Sequence, residues 1–145
     1  MDKVSLIKAT IKDKALAIDF DYQLNSIEHI ELRRAEKIAK AISDEECFII
    51  LEDNKAVGFV IFDYRFFDLC WIELIIVAKE HRGKGIGAEA MNLICRQSKT
   101  SKVFTSTNRS NTPMQKALVK VGFSFAGEII GLDEGDPELF YYKET

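Results

Sequence analysis

Residues 80–91, EHRGKGIGAEAM, set three glycines and two cations, Arg82 and Lys84, at the front of what the pattern predicts to be a helix. Unpaired backbone N–H groups and the dipole at a helix start attract an anion, and glycine lets the main chain come close because no Cβ intrudes. A tight turn with exposed cations would have the same composition, so the neighbouring residues must decide which anion belongs there. Gly85, Gly87 and Ala90 fit the G-x-G-x-x-A spacing of a dinucleotide site. Against that, AKEHR separates the glycines from the strand before them, and no carboxylate ends KVFTSTN to hold a ribose. The nucleoside-triphosphate loop, Gly, four residues, then Gly-Lys-Ser/Thr, does not occur. A bare turn and the pyrophosphate of a coenzyme both stay open on these residues alone.

Glu73 is the first candidate for proton chemistry. It interrupts the apolar run WIELIIVA, where an unpaired carboxylate is expensive, and simple alternation puts it on the face of Ile75 and Val77. A solvated face, or a pair with Arg or Lys, would account for it equally well. The turn GLDEGDPEL gathers Asp133, Glu134, Asp136 and Glu138, a cluster that suits either a cationic ligand or a solvated turn. Its oxygens do not alternate as a calcium loop requires. His29 and His81 read as ordinary histidines, and Phe66 and Phe67 either line a cleft or pack.

The elements that must position these residues alternate along the chain. VSLIKA reads as a strand, and Thr10 with Asp13 opens a helix carrying Ile11, Ala15 and Ile18 on one face. A second helix starts near Ser26, with Ala35, Ile38, Ala39 and Ile42 as its core stripe. CFIILE and AVGFVIFDYRF form a hairpin, and the nearly all-apolar LCWIELIIV is a central strand. The glycine helix follows with Ile86, Ala90, Leu93 and Ile94 inward, then the strand KVFTSTN, which makes a parallel pair. In NTPMQKALVKVGF, Thr112 reads as N-cap, Pro113 as first helical residue, Gln115 as the capping-box partner and Gly122 as the stop. Two last strands flank the acidic turn, giving the order β-α-α-β-β-β-α-β-α-β-β.

The chain's 145 residues, 47% of them hydrophobic, suit one domain over 1–145. A net charge of -3 with both signs interspersed argues against nucleic acid or anionic lipid as partner and makes a cationic one more natural. No apolar run is long enough to span a bilayer, and MDKVSLIKATIKDK lacks a signal-peptide core, so the expected location is cytoplasmic. Cys47, Cys70 and Cys95 are odd in number and widely spaced, which suits buried thiols and no metal.

Arg82, two residues, Gly85, one residue, Gly87, between a central strand and a helix, resembles the signature of the GNAT superfamily, the acetyl-coenzyme A dependent N-acetyltransferases. NTPMQKALVKVGF resembles the second motif, an Asn followed at a fixed interval by Gly-Phe, and the element order is similar over nearly the whole chain. The resemblance implies an α+β fold: a mixed, mostly antiparallel sheet of about six or seven strands with helices on both faces. It implies acetyl transfer from acetyl-CoA to a primary amine by direct attack on the thioester, without a metal. On that basis Arg82, Gly83, Lys84, Gly85, Ile86 and Gly87 hold the pyrophosphate through backbone amides. Ile75, Ile76 and Val77 pair by main chain with the pantetheine arm, and Asn111 contacts the cofactor. Keeping a lysine-like amine (pKa about 10.4) neutral near pH 7 costs roughly 4 to 5 kcal/mol, so a base is useful, and Glu73 is the candidate. Many members protonate the leaving thiolate with a Tyr where this chain has Leu118; Tyr141, Tyr142 or water are the substitutes, although adjacent strand residues face opposite ways. Asp133, Glu134 and Asp136 fall on the side where the family binds its acceptor, and a homodimer is in keeping with the family. The alternative is an acyl-CoA-binding module of the same fold without turnover, motivated by Leu118.

Overall fold

The structure, a computed structural model, describes residues 3–22 and 28–145, with side chains described outside 28–32. The expected helix start near Ser26, and the side chain of His29, lie outside the described residues. The elements are β1 (Val4–Lys8), α1 (Lys14–Tyr22), α2 (Glu28–Ser43), β2 (Cys47–Glu52), β3 (Lys55–Phe66), β4 (Leu69–Val77), α3 (Ile86–Gln97), β5 (Lys102–Asn108), α4 (Thr112–Val121), β6 (Ser124–Ile129) and β7 (Glu138–Glu144). The strands form one seven-stranded sheet in the order β1-β2-β3-β4-β5-β7-β6. β4 and β5 run parallel and every other neighbouring pair is antiparallel, so the fold is α+β with the element order read from the sequence.

Both faces of the sheet are covered, each by a core of its own. α3 and α4 contribute Ile86, Met91, Ile94, Leu118 and Val121 to a cluster with Val60, Ile72, Val103 and Tyr141. On the opposite face α1 and α2 pack Ala17, Phe20, Ile38 and Ile42 against Ile49, Phe59, Ile61 and Ile76. Among the described residues no helix is long and apolar enough to cross a membrane.

Two local expectations are corrected. Ile11 and Ala15 are exposed, and α1 buries Ala17, Phe20 and Asp21 instead. The reason is that residues 11–13 form a 3-10 turn, held where the Thr10 N–H donates to Asp13 Oδ2 at 2.8 Å, so the α-helical phase begins afresh at Lys14. At α4 the N-cap is Asn111, whose Oδ1 accepts the Met114 N–H at 3.2 Å, so Thr112 is already helical. Gln115 turns its amide to the carbonyls of Asn108 and Arg109 and makes no capping box.

The feature that shapes the site is a bulge. β3 and β4 pair in register from Gly58↔Val77 to Ile61↔Leu74, then resume at Phe62↔Ile72, which leaves Glu73 as the extra residue.

Candidate active site

β4 and β5 pair only through Cys70↔Val103, Trp71↔Phe104 and Ile72↔Thr105. The last rung is sealed by Thr105 Oγ1, which donates to the Ile72 carbonyl at 2.9 Å. Beyond it β4 follows β3 and β5 follows β7, so the two parallel strands diverge. The bulge at Glu73 falls where pairing stops, and bulges bend and twist the strand that carries them. The resulting cleft, about 420 Å³, is lined by residues 72–76 of β4, residues 105–108 of β5, Asn111, Met114, Arg34 and Glu138. A stretch of β4 backbone therefore faces a cavity along an edge that β5 does not pair.

The glycine loop continues this cleft. Gly83 and Gly85 have φ of 77° and 81°, a left-handed conformation that a Cβ disfavours, and Gly85 is the N-cap of α3. Gly87 differs, because its φ is not left-handed and a Cβ there would meet only Val77 Cγ2 at 3.8 Å, an ordinary contact. Among the described residues nothing requires glycine at this helical position, where Ala is worth about 1 kcal/mol more. Its bareness leaves room over the helix N-terminus. A cavity of about 570 Å³ lies there, bounded by residues 85–88, Ile75, Val77, Arg82, Met91, Lys116 and Lys120, and it shares Ile75, Asn111 and Met114 with the cleft.

Charge around this second cavity is uncompensated. Among the described residues no carboxylate lies within ion-pair distance of Lys84, Lys116 or Lys120. Arg82 is held in place, its Nε donating to the Val77 carbonyl at 3.0 Å. His81 also borders the cavity; its Nδ1 is buried without a hydrogen-bond partner, 4.0 Å from Glu52 Oε1. Lys116 and Lys120 escaped the sequence reading. Their i, i+4 spacing on the polar side of α4 was the available signal, but it reads as a solvated face until α4 is packed beside α3.

Glu73 lies on the α2 side of β4 and not on the face of Ile75 and Val77, because the bulge shifts the alternation: Leu74 and Ile76 pack with α1 and α2, Ile75 and Val77 with α3 and α4. Lys37 Nζ donates to its Oε1 at 2.5 Å and Trp71 Nε1 to its Oε2 at 2.6 Å. Burial works to raise the carboxyl's pKa, but these two hydrogen bonds and the charges of Lys37 and Arg34 together prevail and hold it below the ordinary carboxylate value. Glu73 borders both the cleft and a third cavity of about 530 Å³, lined on the α2 side by Lys37, Lys40, Ile61, Arg65, Phe66 and Trp71. It stands at their junction. Within that third cavity Arg65 binds Glu46 at 2.8 Å, and its charge is reinforced first by that hydrogen bond.

The remaining sequence candidates are dispersed. Tyr141 is buried in the α3–α4 core beside Phe125, and Tyr142 on the other face stacks on Phe104 at 5.6 Å. Neither lines the cleft described above. Leu118 is fully buried. Asp133 Oδ2 accepts from Asn108 Nδ2 at 2.8 Å, while Asp136 accepts the Ser110 N–H at 3.0 Å and the Ser110 hydroxyl at 2.6 Å. These carboxylates fasten the acidic turn to the β5–α4 connection, and Glu134 is exposed. Glu138 parts company with them: it begins β7, faces the cleft and accepts the Ser106 hydroxyl at 2.7 Å. Among the described residues no group of three or more His, Cys, Asp or Glu could hold a metal ion.

Splayed parallel strands thus run into a cation-flanked glycine turn, with one cavity opening onto the next. Residues 14–123 match the model of the acetyltransferase (GNAT) family, and the chain belongs to that family. It is 34% identical to a GNAT-family acetyltransferase from Bacillus cereus ATCC 10987, whose crystal structure aligns over 98% of this chain and 97% of that one with a TM-score of 0.88. An N-acetyltransferase from Staphylococcus aureus Mu50 is 21% identical, with a TM-score of 0.71 over 98% of each chain. A protein assigned as a streptothricin acetyltransferase from Bacillus anthracis str. Ames, crystallised with acetyl coenzyme A, is 23% identical and aligns over 68% of this chain and 61% of that one, TM-score 0.62. At these identities the last two show a shared fold. A comparison with curated protein sequences finds no match.

Proposed function

We propose that the chain transfers an acetyl group from acetyl-CoA to a primary amine of a small molecule or a peptide. The observation that carries this reading is the opening between β4 and β5, which exposes strand backbone to a cavity continuous with the glycine turn. Backbone groups of Ile75, Ile76 and Val77 suit the amide-bearing pantetheine arm as a third strand partner. The turn from Arg82 through Gly83, Lys84, Gly85 and Ile86 to Gly87 suits the pyrophosphate, with Lys116 and Lys120 adding charge. Asn111 borders both cavities and fits a contact between them. The bare Gly87 is the test of fit: room is left where only a ligand would use it.

Acetyl-CoA, when bound, supplies an acetyl group on a thioester; the chain must bind the amine, take its proton and shield the reaction. Glu73 is the proposed base, acting through a water, since it stands where the third cavity meets the cleft. Its lowered pKa keeps it ionised, and so ready, at the expense of driving force. Asp133, Glu134 and Asp136 are proposed to favour approach of a cationic acceptor by their charge alone, two of them being engaged in holding the turn. The reading includes one domain over 1–145, a cytoplasmic setting that suits three buried free thiols, and a homodimer.

A second reading, acyl-CoA binding without turnover, is favoured by the buried Leu118 and by two C-terminal tyrosines set away from the cleft. Calorimetric titration with acetyl-CoA, with NAD as comparison, followed by a free-thiol assay over an amine panel, separates the readings. Saturable binding of acetyl-CoA alone with thiol release supports transfer. Binding without release from any amine supports the module, and no binding by folded protein rejects both.

A further inference from the structure

One face of β4, β5 and β7, with the end of β3, lies beside the cleft and belongs to neither core cluster. Five half-buried rings pave it: Phe66 stacks on Trp71 at 4.7 Å and lies 5.1 Å from Phe104, Phe104 stacks on Tyr142 at 5.6 Å, and Phe140 lies 5.8 Å from Trp71. The register orders what borders this pavement. Trp71 pairs with Phe104 and Phe104 with Tyr142; the next row of β5 and β7 on the same face is Ser106 with Phe140, and the row after it Asn108 with Glu138. Aromatic pavement thus gives way, within two rows, to a carboxylate at the mouth of the splayed strands.

The charged groups lining the cleft differ in how they are satisfied. Arg34 Nη1 is 3.0 Å from Asp21 Oδ1, and Glu73 is bound by Lys37. Glu138 accepts from a neutral hydroxyl, Ser106, and among the described residues no cation lies within ion-pair distance of it. It is the cleft's uncompensated negative charge.

We infer that this paved face is the acceptor site and that it takes a small primary amine on an apolar, ring-bearing body, the ring lying on Trp71, Phe66 and Phe140. The amine is bound as an ammonium donating to Glu138 until it yields a proton through water to Glu73 and attacks as the free amine. The inference rests on the acetyltransferase reading for the meaning of the word acceptor, although the binding itself does not. A charge-assisted hydrogen bond from an ammonium to a carboxylate is stronger than the neutral one Ser106 now makes, and the rings supply offset stacking and cation–π attraction. A polycation without an apolar body would leave the rings unused.

Trp71 is the chain's single tryptophan, so its fluorescence reports on this face without any turnover. The protein is titrated with 2-phenylethylamine, with 2-phenylethanol as the uncharged counterpart and with spermidine as the cation lacking a ring. Each titration is run with and without saturating coenzyme A. The expected result is a saturable change with 2-phenylethylamine, about tenfold or more weaker for the alcohol and for spermidine. Glu138→Gln should abolish the preference for amine over alcohol, and Ser106→Ala, which frees Glu138 of its hydroxyl, should retain it; melting curves check that both variants fold. Equal binding of amine and alcohol, spermidine binding as tightly as the ring-bearing amine, no binding at all, or a preference unchanged in Glu138→Gln would each overturn the inference. Acetyl-CoA binding, measured separately by calorimetry, distinguishes the two failures. If acetyl-CoA binds and the amine does not, this site is wrong and the transfer reading stands; if the amine binds through Glu138 and acetyl-CoA does not, the reverse holds.

Discussion

Lys37 on α2 reaches across to Glu73 on β4, its Nζ 2.5 Å from Oε1, while the indole of Trp71 holds the other oxygen. The pair joins a helix to the one bulged residue of a central strand, and it sets both the charge and the direction of the proposed base. Lys37→Met should release Glu73 toward a higher pKa. The acid limb of the kcat/KM profile then moves to higher pH, and a profile superimposable on the parent's would remove Glu73 from the proton path.

The same pair makes a pH-dependent contribution to stability. The folded-state pKa of Glu73 is depressed, so the stabilisation is present above the ordinary carboxylate value and is lost as pH falls through the folded value. Lys37→Met should therefore be less stable than the parent at pH 7 and equal to it well below the carboxylate range. Both groups are partly exposed, and solvent screening keeps the difference small. Urea denaturation at the two extremes checks the sign.

Two neighbouring glycines should respond in opposite ways. Gly85→Ala places a Cβ on a residue with φ of 81° and should destabilise the protein by about 1–2 kcal/mol. Gly87→Ala should leave the melting temperature unchanged or raise it, while weakening acetyl-CoA at least tenfold, since only the ligand contests that space. Parallel loss of stability and binding in both variants would mean that Gly87 serves the fold.

Lys116→Ala and Lys120→Ala should each weaken acetyl-CoA by about 1 kcal/mol at low salt and by less at high salt, as expected for exposed charges near a polyanion. Calorimetry at two ionic strengths reads this directly. Additive, salt-insensitive losses would point to packing.

Leu118 stands where the family resemblance leads one to expect an acidic tyrosine, and here it is fully buried between α4 and the sheet. Leu118→Tyr should overpack the core by about 1–3 kcal/mol and should not raise thiol release. A gain in turnover would show that the missing acid limits the reaction and that the ring can reach the cleft.

Sequence by itself determined the order of the elements and most of the strands, because periodicity and local chemistry are written in neighbouring residues. LCWIELIIV is β4, KVFTSTN is β5, and Gly122 ends α4. The Arg-x-x-Gly-x-Gly turn was legible for the same reason: left-handed backbone at Gly83 and Gly85 is a local demand. Alternation along β4 misled, because it assumes an unbroken ladder. Whether a strand bulges depends on its register with β3, and that register is settled between chain segments. Lys37 and Glu73 are far apart in sequence, and Ser106 and Glu138 lie on strands that meet only after β6 and the acidic turn have been inserted between them in the chain. The splay of β4 from β5, the pairing of Glu73 with Lys37 and the bond from Ser106 to Glu138 are therefore tertiary decisions, made by contacts that no local pattern encodes.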